Sequence, residues 1–427
     1  MRDKVVIIGG GVTGLAAAGF LAETHDCVLL EREAEVGGYC RTFYQDGFTW
    51  DYSGHFFHFR NKWVADYVHE RLDVENLLSV KKISRIFFRG RYVDFPFQHN
   101  IHQLPIDDFL RCLSEMYEAQ ADKSDKKYSS FKEMLYGRYG KSLSDLFLIP
   151  YNEKLYAIDA DELDADAMGR FFPHVEFGEL LQSLARNAGY QSYNDEFAYH
   201  RRGAQAYVEA LASYVPDGVI RTETPCERID LERQVVHAGG EEFPYDRLIA
   251  TSPLPRTLRM AGLEDEAKVF SANKVLVFNL GFDKPSTRPE HWTYYPEQDW
   301  VFFRLGRYDN IFGEKRMSLY VEIGLPADAP VDSEAYLKRT LEDLHRAGVV
   351  DDHQLISHVS VVLDPAYVHI SGAANEAAEK MFKHLAGHGV HPLGRYGQWV
   401  YCSIEDNILQ AHELAKSWGG AENIKAG

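Results

Sequence analysis

A βαβ unit built on GGGVTG near the start of the chain, a return of strand–helix–strand patterning after residue 200, and a run of β-rich segments from 273 together predict an α/β protein. Its nucleotide-binding domain is expected to be Rossmann-like and discontinuous, carried by 1–95, 201–262 and 385–427. Two insertions complete the expected architecture: a mainly helical domain over 96–200 and an antiparallel β-sheet domain over 263–384.

The first element is VVII (5–8), a short apolar run that suits a buried parallel strand. The chain then turns through Gly9, Gly10 and Gly11 to Gly14, and Leu15, Ala18 and Ala22 repeat at helical spacing. A second apolar strand, CVLL, leads to Glu31, 20 positions beyond Gly11. Each residue type has a task. Gly9 permits the tight turn, Gly11 lets backbone approach a pyrophosphate, and Gly14 lets helix pack on strand. The helix N-terminus offers positive partial charge to phosphates, and Glu31 can accept from a ribose diol.

Residues 104–200 carry helical patterning, as in FKEMLYGRYGKSLSDLF. RRGAQAYVEALASYV reads as a helix, and CERIDLERQVVHAGGEEFPYDRLIAT as a hairpin followed by a strand. NKVLVFNLGF, HWTYYP, WVFFRLGRY and RMSLYVEI read as successive strands of a sheet over the cofactor. Residues 397–427 are expected to form a short strand and a helix, with Ile408, Ala411, Ala415 and Trp418 on one face and Ser403 or Asp406 as its cap.

A net charge of −18 over 427 residues disfavours a nucleic-acid or anionic-membrane partner, so an anionic substrate needs local arginines. Five scattered cysteines without a CxxC pair point to a reducing cytoplasm, and no apolar stretch is long enough to span a membrane. DYSGHFFHFRN (51–61) admits three readings: metal site, core turn or cofactor wall. His55 and His58 lack further ligands at metal spacing, so no metal is expected.

After Glu31, EAEVGGYCRT offers a second backbone approach at Gly37 and Gly38 and a cation at Arg41. This pairing resembles the flavoprotein family of amine oxidases, protoporphyrinogen oxidase and UDP-galactopyranose mutase, which implies FAD. GHFFHF with NKWVADYV, RGRYVDFPFQHNIHQLP, SLSDLFLIPYNEKLYA, HWTYYPEQDWVFFR and GRYGQWVY occur in the order of the mutases and are similar to their segments. The resemblance implies FAD contacts from Gly9, Gly11, Val12, Thr13, Gly14, Glu31, Arg32, Gly38, Tyr39, Arg41, Gly54, His55, Cys226, Gly394, Asp406, Asn407 and Ile408. A helix N-terminus at the flavin pyrimidine edge would favour the reduced anion.

In such mutases the N5 of reduced FAD attacks the anomeric carbon and expels a nucleoside diphosphate; the sugar recloses as the furanose and the diphosphate returns. Implied catalytic residues are His55, Arg170, Arg304, Arg395, Tyr294, Tyr367 and Tyr401: Arg304 and Arg395 clamp the phosphates with Tyr367 and Tyr401, Tyr294 is a further pocket tyrosine, and Arg170 rides a closing segment. Phe95, Gln98, Tyr151, Asn152, Asn194 and Trp292 join them as implied substrate contacts. An arginine ending a strand is more often a salt-bridge partner, tyrosines are more often core, and Tyr151 and Asn152 could simply pack a helix. Two positions depart from the family: Ala204 follows Gly203 where a second glycine is usual, and Phe95 replaces a tyrosine. The expected function is therefore interconversion of pyranose and furanose forms of a nucleotide sugar of the UDP-galactopyranose type, serving cell-surface polysaccharide synthesis. NAD(P)H is the candidate reductant and a homodimer the candidate assembly. An FAD-dependent oxidase of the amine or protoporphyrinogen oxidase type is the main alternative, and a non-enzymatic flavin-binding or scaffold protein a further one.

Overall fold

The computed structural model describes residues 2–121, 126–186 and 196–420. A five-stranded parallel sheet runs in the order Val390–Pro392, Arg247–Ala250, Lys4–Ile8, Asp26–Leu30, Ile220–Arg221. Val6 pairs with Leu248 on one side and Val28 on the other. Buried on both faces, Lys4–Ile8 is a near-continuous apolar run, as a central parallel strand must be. Helix Val12–Leu21 packs on this sheet and is buried almost all round, with helices Gln205–Ala212 and Ile404–Ser417 against it. Beyond it, Cys226–Asp230, Val235–Ala238 and Glu241–Pro244 form a three-stranded antiparallel meander.

The second large sheet has seven strands in the order Leu355–Leu363, Lys274–Phe282, Ser318–Leu325, Arg304–Arg307, Trp292–Tyr294, Ser84–Phe88, Arg91–Asp94. Its ladders are antiparallel except where Trp292–Tyr294 runs parallel to Ser84–Phe88. Two of its strands thus come from before residue 96, far from the rest in sequence. Along Lys274–Phe282 the period of two divides the core: Leu276, Phe278, Leu280 and Phe282 meet Leu344 of helix Ser333–Arg346, while Val275 and Val277 face an aromatic cluster with the helical insertion. That insertion includes Ile106–Ala121, Phe131–Leu143 and Ile149–Tyr156.

The closing segment differs from expectation in one respect. Its short strand is Val390–Pro392, and none follows residue 397 among the described residues. QWVYC has strand-like composition, but Trp399 is buried at φ 56, in the left-handed region that breaks an extended run. Helix Ile404–Ser417 follows, capped by Ser403 with Asp406 in a capping box. Among the described residues no helix is long and apolar enough to cross a membrane.

Candidate active site

One cavity of about 950 Å³ runs from the first glycine turn to the seven-stranded sheet. At its start Gly9 holds φ +101, where a Cβ would overlap the Thr251 hydroxyl, and Gly14 abuts the Gly9 carbonyl with no room for a side chain. Gly11 caps helix Val12–Leu21 without a side-chain hydrogen bond, and nothing lies within 4 Å of where its Cβ would stand. A helix end without a side-chain cap keeps its first-turn N–H groups available to an anion. Gly37 N donates to the Gly10 carbonyl at 2.7 Å, which lays the second glycine loop beside the first. Glu31 accepts from Gly10 N at 2.7 Å and Glu33 N at 2.9 Å, fixing its carboxylate while leaving lone pairs for a diol. Val12, Thr13, Arg32, Tyr39, Arg41 and Cys226 line the same end. Close backbone approaches and a helix end without a side-chain cap fit a dinucleotide pyrophosphate.

Four residues expected at the cofactor act from behind. Gly14 and Ile408 are packing positions, Ile408 fully buried against helix Val12–Leu21. Gly394, at φ +80, leaves room for Thr13 and Asn407, whose Oδ1 accepts from Thr13 Oγ1 at 2.8 Å and Arg395 N at 2.9 Å. Asp406 completes the capping box. Gly38 and Asn407 themselves line the cavity.

The floor is DYSGHFFHFRN. Asp51 is fully buried and accepts from Thr42 Oγ1 at 2.6 Å, Ala204 N at 2.9 Å and the Tyr199 hydroxyl. Burial pushes its carboxyl up to about 6, against those hydrogen bonds. The Gly203–Ala204 backbone is thus turned to Asp51. Gly54 lines the cavity, and its missing side chain makes room for the Tyr320 ring. His55 lines the cavity too, its Nδ1 buried without a hydrogen-bond partner. Burial lowers its pKa to about 4, Glu322 opposing and Arg395 and Arg304 adding to the fall, so the imidazole is neutral at pH 7. Phe57 stacks on Tyr207 with centroids 3.5 Å apart and belongs to the core. Glu405, buried, accepts from Arg60 N at 2.8 Å and Asn61 N at 2.6 Å, fastening the floor to the C-terminal helix.

The arginines that line the cavity differ in their partners. Arg304 is paired in register with Glu322 on the next strand; its Nη2 donates to Glu322 Oε1 at 2.9 Å and reaches the Tyr367 hydroxyl at 3.5 Å, while its Nε bonds the same carboxylate. Ser53 Oγ donates to Glu322 as well, at 2.5 Å. Arg395 has no ion-pair partner among the described residues: its Nη1 reaches the Cys402 carbonyl at 3.4 Å, its Nε is unpaired, and its guanidinium lies 4.5 Å from the Tyr401 ring centre. Tyr367 and Tyr401 are near-parallel, centroids 6.2 Å apart. Arg170 donates to both Asp406 oxygens at 2.7 and 2.6 Å, and Phe171 meets Tyr401 edge-on, so the 169–171 turn closes over the cavity.

Trp292 lines the cavity; Tyr294 lies behind, stacked on Phe95 with centroids 5.0 Å apart and edge-on to Tyr151. Gln98 and Asn152 turn their amides to the carbonyls of Pro173 and Leu148 and do not reach the cavity. Asn194 lies outside the described residues. Sequence reasoning missed Glu322, Ser53, Glu405 and Phe171. A lone carboxylate inside the apolar strand SLYVEIGL was the available signal for Glu322. Among the described residues no three His, Cys, Asp or Glu side chains are grouped to hold a metal.

Comparison with known proteins places this arrangement. Residues 12–384 match a family model described as "Flavin containing amine oxidoreductase". A 4,4'-diapophytoene desaturase of Staphylococcus haemolyticus is 29% identical over 136 residues, 32% of this chain and 26% of that protein. The match to such curated relatives thus spans about a quarter of their length. Among solved structures, reduced UDP-galactopyranose mutase superposes with a TM-score of 0.92 at 24% identity, covering 100% of this chain and 96% of that one. Cyclohexylamine oxidase from Brevibacterium oxydans superposes with a TM-score of 0.69 at 14% identity, covering 98% of each chain. At these identities the likeness is one of fold.

Proposed function

The chain belongs to the flavin-containing amine oxidoreductase family, and from that premise we propose that it is a nucleotide-sugar mutase of the UDP-galactopyranose type. Its cofactor is FAD. When bound and reduced, FAD supplies N5 as the nucleophile toward the anomeric carbon. The chain's own residues handle the nucleoside diphosphate that leaves and returns.

One observation carries the reading: Arg395, a guanidinium without an ion-pair partner among the described residues, lines the cavity beside the Tyr367 and Tyr401 rings. An unpaired guanidinium in a low-dielectric site calls for an anionic partner, and a diphosphate presents paired oxygens that its fork can take. Arg304 adds a second donor, tempered by Glu322, so the departing diphosphate is held without being trapped. Neutral His55 supplies no competing cation at the flavin end. The 169–171 turn keeps water from a reactive sugar while the diphosphate is displaced.

The test is anaerobic incubation of the purified holoprotein with dithionite and UDP-galactopyranose or UDP-galactofuranose, with interconversion followed by chromatography. Turnover only in the reduced state is expected. A second reading, an FAD-dependent oxidase, draws on the family description and on the desaturase relatives. Peroxide release with amines or porphyrinogens, and no turnover of nucleotide sugars, would replace the mutase reading with that one.

A further inference from the structure

Helix Ile149–Tyr156 sends one partly buried lysine into the loop that separates the strands Trp292–Tyr294 and Arg304–Arg307. Lys154 Nζ lies 2.9 Å from the carbonyl oxygens of Tyr295, Glu297 and Trp300 and 2.8 Å from that of Phe302. Four carbonyl dipoles converge on an ammonium with three protons, the arrangement of a resident cation in a carbonyl cage. Without it those carbonyls would face one another, a costly state for buried backbone groups.

The lysine's own backbone is equally constrained. Gly324 leaves no room for a Cβ against the Lys154 carbonyl, and Asn273 Nδ2 donates to the Leu155 carbonyl at 2.7 Å. Both belong to the seven-stranded sheet or its edge, so the helix sits at a set height and Nζ reaches one place. Across the ladder Tyr294 pairs with Arg304, and Phe303 N donates to the Glu322 carbonyl at 3.0 Å. The loop's shape therefore decides where Trp292 and Arg304 enter the cavity.

We propose that Lys154 is a positioning residue for the diphosphate site, acting through Arg304 by holding the 295–303 loop in a carbonyl cage. The proposal rests on Arg304 as a phosphate ligand. Burial pulls the lysine's pKa down to about 7, against the carboxylates of Asp343, Glu297 and Asp299, so the carbonyl cage has to hold an ammonium that burial alone disfavours.

Holoprotein carrying Lys154→Met, which keeps the apolar stem, tests it in two ways. Amide hydrogen exchange is expected to quicken across 295–307 and stay at wild-type rates in the glycine cradle, with FAD occupancy unchanged. The Kd for UDP is expected to rise about tenfold, equivalent to about 1.4 kcal/mol. Arg304→Ala combined with Lys154→Met should bind UDP no more weakly than Arg304→Ala alone, because both act through one side chain. Unchanged exchange at 295–307, or losses that simply add, would overturn the proposal. Should Lys154→Met release FAD, Lys154→Gln, which keeps two donors, is measured in the same way. A wild-type chain that binds no UDP overturns the functional reading and leaves the exchange comparison to decide the lysine's role.

Discussion

The two ends of the cavity are built from different material. At the dinucleotide end the shaping contacts are backbone: Gly9, Gly11 and Gly14 within six residues, the 37–38 loop bonded to Gly10, and one fixed carboxylate, Glu31. Around the arginines they are side chains from distant segments, Arg170, Arg304, Tyr367, Arg395 and Tyr401, each aimed by something else: Asp406, Glu322, Asn273, Asn407 or a neighbouring ring. A backbone-made site fails all at once when a side chain intrudes. A side-chain-made site can lose members singly.

That contrast predicts its own largest effect. Gly14→Val puts a branched side chain into the Gly9 carbonyl, and the turn cannot yield without moving strand and helix together. Visible absorbance per folded chain is expected to vanish and the melting temperature to fall. A flavin-replete Gly14→Val protein would mean that the cradle is not where the pyrophosphate sits.

Arg395→Ala comes next and should strike one end only. Truncating one partner of a desolvated charge pair costs about 3 kcal/mol, so the Kd for UDP should rise on the order of 100-fold while FAD stays bound. Arg304→Ala is expected to cost less in affinity, because Glu322 already takes part of that arginine's charge. Titration calorimetry on the holoproteins ranks them, and the opposite order would remove Arg395 from the centre of the site.

The same contrast explains what could be read before the structure. The cradle was legible because its residues are neighbours and glycine types state the geometry directly. His55, Arg304, Arg395 and Tyr401 were reached through whole motifs, since nothing local tells a strand-end arginine in a cavity from one in solvent. Glu322 escaped because its meaning depends on strand register: only the pairing Arg304↔Glu322 turns a lone carboxylate into an arginine's partner. The strands Ser84–Phe88 and Arg91–Asp94 join a sheet whose other members begin at 274, a pairing invisible to periodicity. QWVYC misled because composition does not reveal a left-handed Trp399.

Asp51 ties the cavity floor to the Thr42 hairpin, the Gly203–Ala204 turn and Tyr199. Its folded carboxyl, raised to about 6 by burial, exceeds an unfolded value near 3.9, so protonation favours the fold. The resulting stability is fully present below about pH 3.9 and is lost as pH rises through about 6. Asp51→Asn cannot ionise and should therefore gain on wild type between pH 4 and pH 7, by about 2 to 3 kcal/mol. Denaturant midpoints across that range measure it, and a gap that does not change with pH would contradict the raised carboxyl.

The smallest expected effect lies in the latch between the ends. Arg170 is bonded to Asp406 while 45% exposed, so the pair is worth at most about 1 kcal/mol. If Arg170 serves a phosphate, it must first leave Asp406, and removing that competitor should help substrate. Asp406→Asn keeps an oxygen for the Ser403 cap yet loses the charge, so the Kd for UDP should fall by up to about fivefold, and less at high salt. Weaker binding in Asp406→Asn would mean that the ion pair aligns Arg170 for its ligand rather than withholding it. The closed turn over Tyr401 would then be the binding-competent form, and the arginine cluster would share the preorganisation of the glycine cradle.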